Sequence, residues 1–397
     1  MARAMLKTMQ FRSIFICAAG LLLITSAKQD SIRRLDGSRI SKAEAAGFAR
    51  TTLEQAHVTG VEIAVLNDGH LVWSDAFGLR RRDPDLPMRP DTNTWAASIT
   101  KGVFATYVMQ LVEKGEFSLD TPVAQQLAEP LDHYDAYRET AAELVHDPAW
   151  LTVTPRMLLA HTSGLLNFST IEPDKKMRLH FKPGTQFWYS GEGIKLVQFV
   201  IEQQKKRPLN ELMQDAIFGP LGMKQSGMIY RAEFAENVAD RFNADGSFHS
   251  QTKRGPVNAA GSLATSAEDL AKFAEALLGG RILKPQTRQE MLTPFIEIRT
   301  LHQIPQKLNE PESEEAQKVG LAYGVGWGLL TKTQYGPAFF KEGHGDGAQN
   351  YMICFEKKKT CMIILTNSEN GENAFKALLE KILGDTVTPW EWEGYRH

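Results

Sequence analysis

The chain is poor in cysteine, in net charge and in long apolar runs, and each shortage excludes something. Its 397 residues include three cysteines, Cys17, Cys354 and Cys361, and these form no paired-cysteine zinc pattern. The formal net charge is −2, which argues against a nucleic-acid partner, since that usually needs a basic face. There is no H-E-x-x-H motif, no P-loop and no G-x-S-x-G elbow. A zincin, a nucleotide-phosphate site and an α/β-hydrolase triad therefore have no anchor, and no metal or cofactor is expected. With 43% hydrophobic residues the composition is globular, with room for one large domain or two lobes sharing a cleft.

The apolar run Ser13 to Ile24 is too short for a comfortable membrane span. Arg3, Lys7 and Arg12 precede it and Thr25-Ser26-Ala27 follows, the order of a secretory signal peptide. Residues 1–27 are expected to be removed, leaving residues 28–397 as one exported domain, periplasmic or secreted; retention as an anchor is the alternative. Cys17 follows the bulky Ile16, which does not suit a lipoprotein site. Cys354 and Cys361 flank a charged turn between two apolar stretches. They can bridge a hairpin or stay as buried thiols, and neither arrangement makes them catalytic.

Strand signals fall at both chain ends and helix signals between. Val61 to Leu66 alternates, Asn67-Asp68-Gly69 marks a hairpin, and Leu71-Val72-Trp73 returns. Further strands are expected over 322–330, 349–355 and 360–366. Helices are expected over 41–56, from Pro155 behind a Thr154 cap, and over 195–203, 267–278 and 374–383. Residues 303–318, rich in Gln, Glu, Lys and Pro, read as an exposed excursion. The economical arrangement is α/β (α+β): an antiparallel sheet from roughly 43–97 and 284–397, flanked by helices, with a mainly helical lobe, roughly 98–283, inserted.

The chemistry centres on Ser98-Ile99-Thr100-Lys101. Behind Ser98, apolar residues at 99, 103, 104, 107, 108, 111 and 112 follow the 3.6-residue period. One helical turn then brings Lys101 over Ser98. A serine hydroxyl needs a base to become a nucleophile, and a lysine desolvated in a helix mouth can be that base. The same spacing recurs at Ser250 to Lys253, but Arg254-Gly255-Pro256 makes that a loop.

This box, with Leu111-Val112-Glu113-Lys114-Gly115, Leu158 to Leu165, Pro183-Gly184-Thr185, Gly219 to Met223, Ala259 to Leu263 and Leu365 to Gly371, resembles the serine β-lactamase/penicillin-binding-protein superfamily. The nearer branch is that of class C β-lactamases and D-stereospecific peptidases and esterases. The likeness spans about residues 45–385. It implies a β-lactamase/transpeptidase-like fold, with Ser98 as nucleophile and Lys101 as its proton partner. Tyr189 is implied as the proton shuttle of a Y-x-N box, with Lys101 as the cation that would let the phenol act. Gly191 stands where the box has asparagine, and the neighbouring Glu192 is expected to face solvent. His344, ahead of the strand at Gln349, takes the place of the K-T-G lysine, and Asp346 replaces that box's glycine. The backbone N–H groups of Ser98 and Gly347 are implied as the oxyanion hole.

These features imply an exported serine hydrolase that forms an acyl-enzyme on an ester, amide or peptide-like substrate, of esterase or D-amino-acid peptidase type. A true β-lactamase and a non-catalytic penicillin-binding-like module are the alternatives. The partner is a small molecule or peptide, and the oligomeric state is open.

Overall fold

In a computed structural model of the chain, which describes residues 30–251, 255–305, 307 and 310–395, nine strands join in one antiparallel sheet. In chain order they are β1 (Gly60–Asn67), β2 (His70–Arg81), β3 (Leu86–Pro87), β4 (Ile296–Glu297), β5 (Leu321–Tyr323), β6 (Gly328–Leu330), β7 (Ala338–Gly345), β8 (Ala348–Phe355) and β9 (Thr360–Thr366). In space they run 4-5-6-7-8-9-1-2-3. The first and last thirds of the chain meet where β9 pairs β1, Ile364 opposite Ile63. The expected leader, 1–27, lies outside the described residues.

Local rules account for most of these elements. The β1–β2 turn has positive φ at both Asp68 (54°) and Gly69 (79°), the combination that matches the twist of a two-residue hairpin. Five helices frame the site: α1 (Lys42–Gln55), α2 (Ile99–Glu113), α3 (Gly191–Lys205), α4 (Ala267–Leu278) and the short α5 (Trp390–Glu393). Ser41, Ser190 and Ser266 cap α1, α3 and α4, each accepting a bond from an N–H of the first turn.

All residues of β1, β8 and β9 are buried, because helices cover both faces of the sheet. One face, with Ala64, Phe339, Met352 and Ile363, packs in the same core as α2 and α4. The other, with Ile63, Phe340, Ile353 and Ile364, packs with α1 and the C-terminal residues Phe375 to Tyr395. Helix α2 is buried almost all round, as a helix inside a core must be. Full burial of side chains such as Phe104 and Val108 contributes about 1.5–3 kcal/mol each.

Two expectations change and a third is extended. The strand expected at Gln349 is preceded by another, β7, which carries Lys341 to Gly345 in register with Ala348 to Met352. The stretch after residue 302 is not wholly exposed: Gln303 is buried, and its N–H donates to the Trp392 carbonyl at 2.9 Å. The segment 98–283, read as a mainly helical insertion, is also tied by a strand pair, Ala264–Thr265 with Thr94–Trp95, to the residues just before Ser98. Cys354 and Cys361, directly opposite on β8 and β9, form a disulfide.

Candidate active site

Ser98 enters α2 from a strained approach. Ala97 has φ +44°, a left-handed conformation that costs a residue with a Cβ about 1–2 kcal/mol. The residues around Ala260 and β8 hold the strain in place. The Ala96 N–H donates to Leu263 O at 3.0 Å, and the Leu263 N–H donates to Thr100 Oγ1 at 3.0 Å. Asn350 of β8 donates to the Trp95 carbonyl at 2.9 Å. Gly343 of β7 completes the clasp, because a Cβ there would come within 2.2 Å of Ala96 O and 3.3 Å of Ser98 N. The Ser98 N–H lies on the first turn of α2, where backbone donors have no intrahelical partner.

Lys101 is 2% exposed. Its Nζ lies 2.8 Å from Ser98 Oγ and donates to Ala260 O at 2.7 Å. Burial, then the nearby Lys341 cation, hold the amine well below the ordinary lysine range, against a smaller opposing pull from Glu342. A neutral amine can donate one N–H to Ala260 and offer its lone pair to the Ser98 hydroxyl proton. The structure therefore brings the Ser98 hydroxyl and the Lys101 amine together, at the distance a nucleophile and its base would need. Ser250 lies instead on the strand Phe248–Gln251 and accepts from Arg241 Nη2 at 2.5 Å; Lys253 is outside the described residues.

Tyr189 is buried in the same place, with Ser98 among its hydrogen-bond partners. Burial pushes its phenol up to about 12, although the Lys341 cation pulls the other way. The phenol is thus a proton donor at neutral pH rather than a standing base. Its ring is braced by His161 at 4.5 Å between centroids. His161 Nδ1 accepts the Ser190 N–H at 3.1 Å, so the ring proton belongs on Nε2.

The cation beside this phenol is Lys341 and not, as expected, Lys101, whose amine burial drives toward the neutral form. Lys341 of β7 is fully buried, its Nζ 3.4 Å from Tyr189 Oη and bonded to Glu342 Oε1. Burial works to discharge Lys341, but the Glu342 carboxylate and the flanking Tyr189 and Tyr323 outweigh it and hold the ammonium charged. His344, expected in that place, lines the cavity, but its Nε2 is bonded to Tyr395 Oη at 2.6 Å and its ring stacks on Tyr395. Burial lowers the imidazole to about 4, so it is neutral and tied to the C-terminal tail. The sequence signal was Lys341-Glu342-Gly343, a K-x-G run three residues upstream of His344.

Two further residues stand elsewhere than expected. Gly347 has φ +72°, packs against Arg241 and Phe242, and its N–H donates to the Glu369 carboxylate. That N–H is therefore not free as the second oxyanion donor; Gly345 of β7, two residues earlier, lines the cavity instead. Glu192 is buried rather than solvent-facing, accepting from Ser169 N at 2.9 Å and pairing with Lys195. Gly191 lies in the first turn of α3, where a Cβ would meet Phe168 at 2.9 Å and Asn167 Oδ1 at 3.0 Å. The space of the absent asparagine is thus occupied by Asn167, which lines the cavity and accepts the Gly191 N–H at 2.8 Å.

These groups open on a cavity of about 750 Å³. His302 to Ile304 and the tail residues Trp392, Glu393 and Gly394 form one side, and Trp95, Arg241 and Asp346 another.

A family model described as Beta-lactamase matches residues 45–384, and the chain belongs to that family. Among curated relatives, a putative penicillin-binding protein PbpX of Bacillus subtilis is 26% identical, over 61% of this chain and 60% of its own length. Esterase EstB of Burkholderia gladioli is 29% identical over 45% and 49%. The chain thus spans less than two thirds of either relative. Among solved structures, an octameric penicillin-binding-protein homologue from Pyrococcus abyssi superposes with a TM-score of 0.69 at 24% identity, covering 87% of this chain and 79% of the other. The D-alanine carboxypeptidase AmpC of Burkholderia cenocepacia gives 0.67 at 17%, covering 86% and 99%. At these identities the likeness establishes the β-lactamase/transpeptidase-like fold.

Proposed function

We propose that the chain is a serine hydrolase that works through an acyl-enzyme. The observation that carries the reading is the buried amine of Lys101, held neutral 2.8 Å from Ser98 Oγ. Ser98 Oγ attacks a substrate carbonyl and its proton passes to Lys101 Nζ. The Ser98 N–H, at the positive end of α2, faces the developing oxyanion; preorganised donors of this kind supply several kcal/mol. As the bond to the leaving group breaks, Tyr189 protonates the departing atom. Lys341 stabilises the transient phenolate, and the ammonium of Lys101 restores the phenol proton. Water then releases the acyl group, with Lys101 again taking a proton.

An ester or amide substrate of the esterase or D-amino-acid peptidase type fits this site best. The similarity to an esterase supports it, as does the fold shared with a D-amino acid amidase of Ochrobactrum anthropi, TM-score 0.63 at 22% identity over 85% and 94% of the two chains. Gly191, where a lactam-destroying enzyme of this branch carries asparagine, weighs against efficient β-lactam hydrolysis. Export is part of the proposal, supported by the basic-then-apolar order of residues 1–27 and by the Cys354–Cys361 disulfide.

The test is intact-mass labelling with an activated acyl ester. One acyl group on the wild-type chain and none on Ser98→Ala is expected; undiminished labelling of Ser98→Ala overturns the assignment.

A further inference from the structure

The cavity has an acidic corner that the acyl-transfer chemistry does not use. Glu342 is 2% exposed and Glu393 is 5% exposed, and both line the cavity. Lys341 satisfies Glu342 Oε1, but Glu342 Oε2 is buried with no hydrogen-bond partner among the described residues. Leaving a buried carboxylate oxygen unpaired is costly. Among the described residues Glu393 is partnered by neutral donors: Tyr351 Oη donates to its Oε1 at 3.3 Å and Gln303 Nε2 to its Oε2 at 3.5 Å. Burial, then the charge of Glu342, push the Glu393 carboxyl well above the usual carboxylate range, so beside the Lys341–Glu342 pair the corner holds an acid that a bound cation would ionise. Trp392 and Gly394 line the same side of the cavity, and Tyr395 lies next to it on His344.

The corner also has a defined place relative to the chemistry. Glu342 is bonded to Lys341, and Lys341 Nζ is 3.4 Å from Tyr189 Oη, the group assigned to protonate the leaving atom. The acidic residues therefore border the side on which the departing half of a substrate lies.

We infer that Glu342 and Glu393 bind an ammonium group carried by the departing half of the substrate, so that the enzyme selects esters or amides of amine-bearing leaving groups. This rests on the hydrolase reading above for the word substrate, but the cation site itself does not. An ammonium there gives Glu342 Oε2 its missing donor and gives Glu393 a reason to ionise. A leaving group with a carboxylate in that position meets repulsion instead.

The experiment uses tyramine and N-acetyltyramine, which differ in the ammonium, titrated calorimetrically into the full-length Ser98→Ala protein. Tyramine should bind about tenfold tighter, the fold-change of one charge-assisted hydrogen bond. Glu393→Gln, and separately Glu342→Gln, should bring the two affinities together. Equal affinities in the parent protein, or a preference that survives both substitutions, overturn the inference. Should Glu342→Gln fail to fold, the parent comparison and Glu393→Gln decide the matter. In parallel, wild-type kcat/KM for O-acetyltyramine and N,O-diacetyltyramine should show the same preference. Turnover of neither ester, with no label on Ser98, sinks the hydrolase reading while the calorimetry still decides the ammonium site. Equal turnover of both overturns the ammonium inference and leaves the hydrolase standing.

Discussion

Two buried lysines face the same tyrosine and end in opposite charge states. Lys101, on the first turn of α2, has a serine hydroxyl and a carbonyl as partners, and burial drives its amine toward the neutral form. Lys341, on β7, is buried more completely, yet the adjacent Glu342 keeps it charged. Burial alone therefore does not set the charge of a lysine; the partner does. The site needs both outcomes, a neutral amine to take the Ser98 proton and a fixed cation to steady the phenolate of Tyr189.

The comparison breaks most completely if Lys101 is made permanently charged. Lys101→Arg cannot lose its proton, so acylation measured with a chromogenic ester should fall about 10³-fold, within the span usual for loss of a general base. The same change at β7, Lys341→Arg, keeps a cation and should cost only about tenfold, since the broader guanidinium sits less well beside the Tyr189 phenolate. Similar losses at both positions would show that the two lysines share one role.

Removing the partner tests why they differ. Glu342→Gln takes away the carboxylate that holds Lys341 charged, and breaking a buried pair in this way should cost about 3–5 kcal/mol of stability in chemical denaturation. A cost below about 1 kcal/mol, the value of an exposed pair, would mean that the pair is solvated.

The pH profile sharpens the contrast without mutation. Lys101 acts as the neutral amine, so kcat/KM should rise with pH through its lowered pKa and fall about tenfold per unit below it. Tyr189 acts as the protonated phenol, with its pKa near 12, so no alkaline limb should be met before that range. A fall in kcat/KM between neutrality and pH about 9 would contradict the protonated phenol. The smallest effect is expected at Asn167→Ala, a loss of about fivefold in kcat/KM, the value of one neutral hydrogen bond, if its amide replaces the one absent at Gly191.

Much of this was legible in advance, for identifiable reasons. The α2 stripe, the Asn67-Asp68-Gly69 turn and the serine caps are short-range signals, and their period or turn chemistry survives any tertiary context. Strand β7 was not legible. Its centre, Lys341-Glu342, breaks the apolar alternation that marks a strand, because both faces of the sheet are covered there and the charges neutralise each other instead of facing water. The same lapse hid the cation beside Tyr189 and gave its place to His344. Asn167 was invisible for another reason: it lies 24 residues from Gly191 and reaches that position only through the fold.

The sequence by itself determined the pairing of Ser98 with Lys101, since three residues of helix suffice to stack one on the other. It also determined the family. Only the tertiary structure decided which lysine stays charged, that Gly345 and not Gly347 lines the cavity, and that the C-terminal Trp392 and Glu393 line it too. Those outcomes depend on contacts between β7, α3 and the chain's last residues. No local propensity encodes them, because they arise from desolvation and charge pairing between segments that meet only when the core closes.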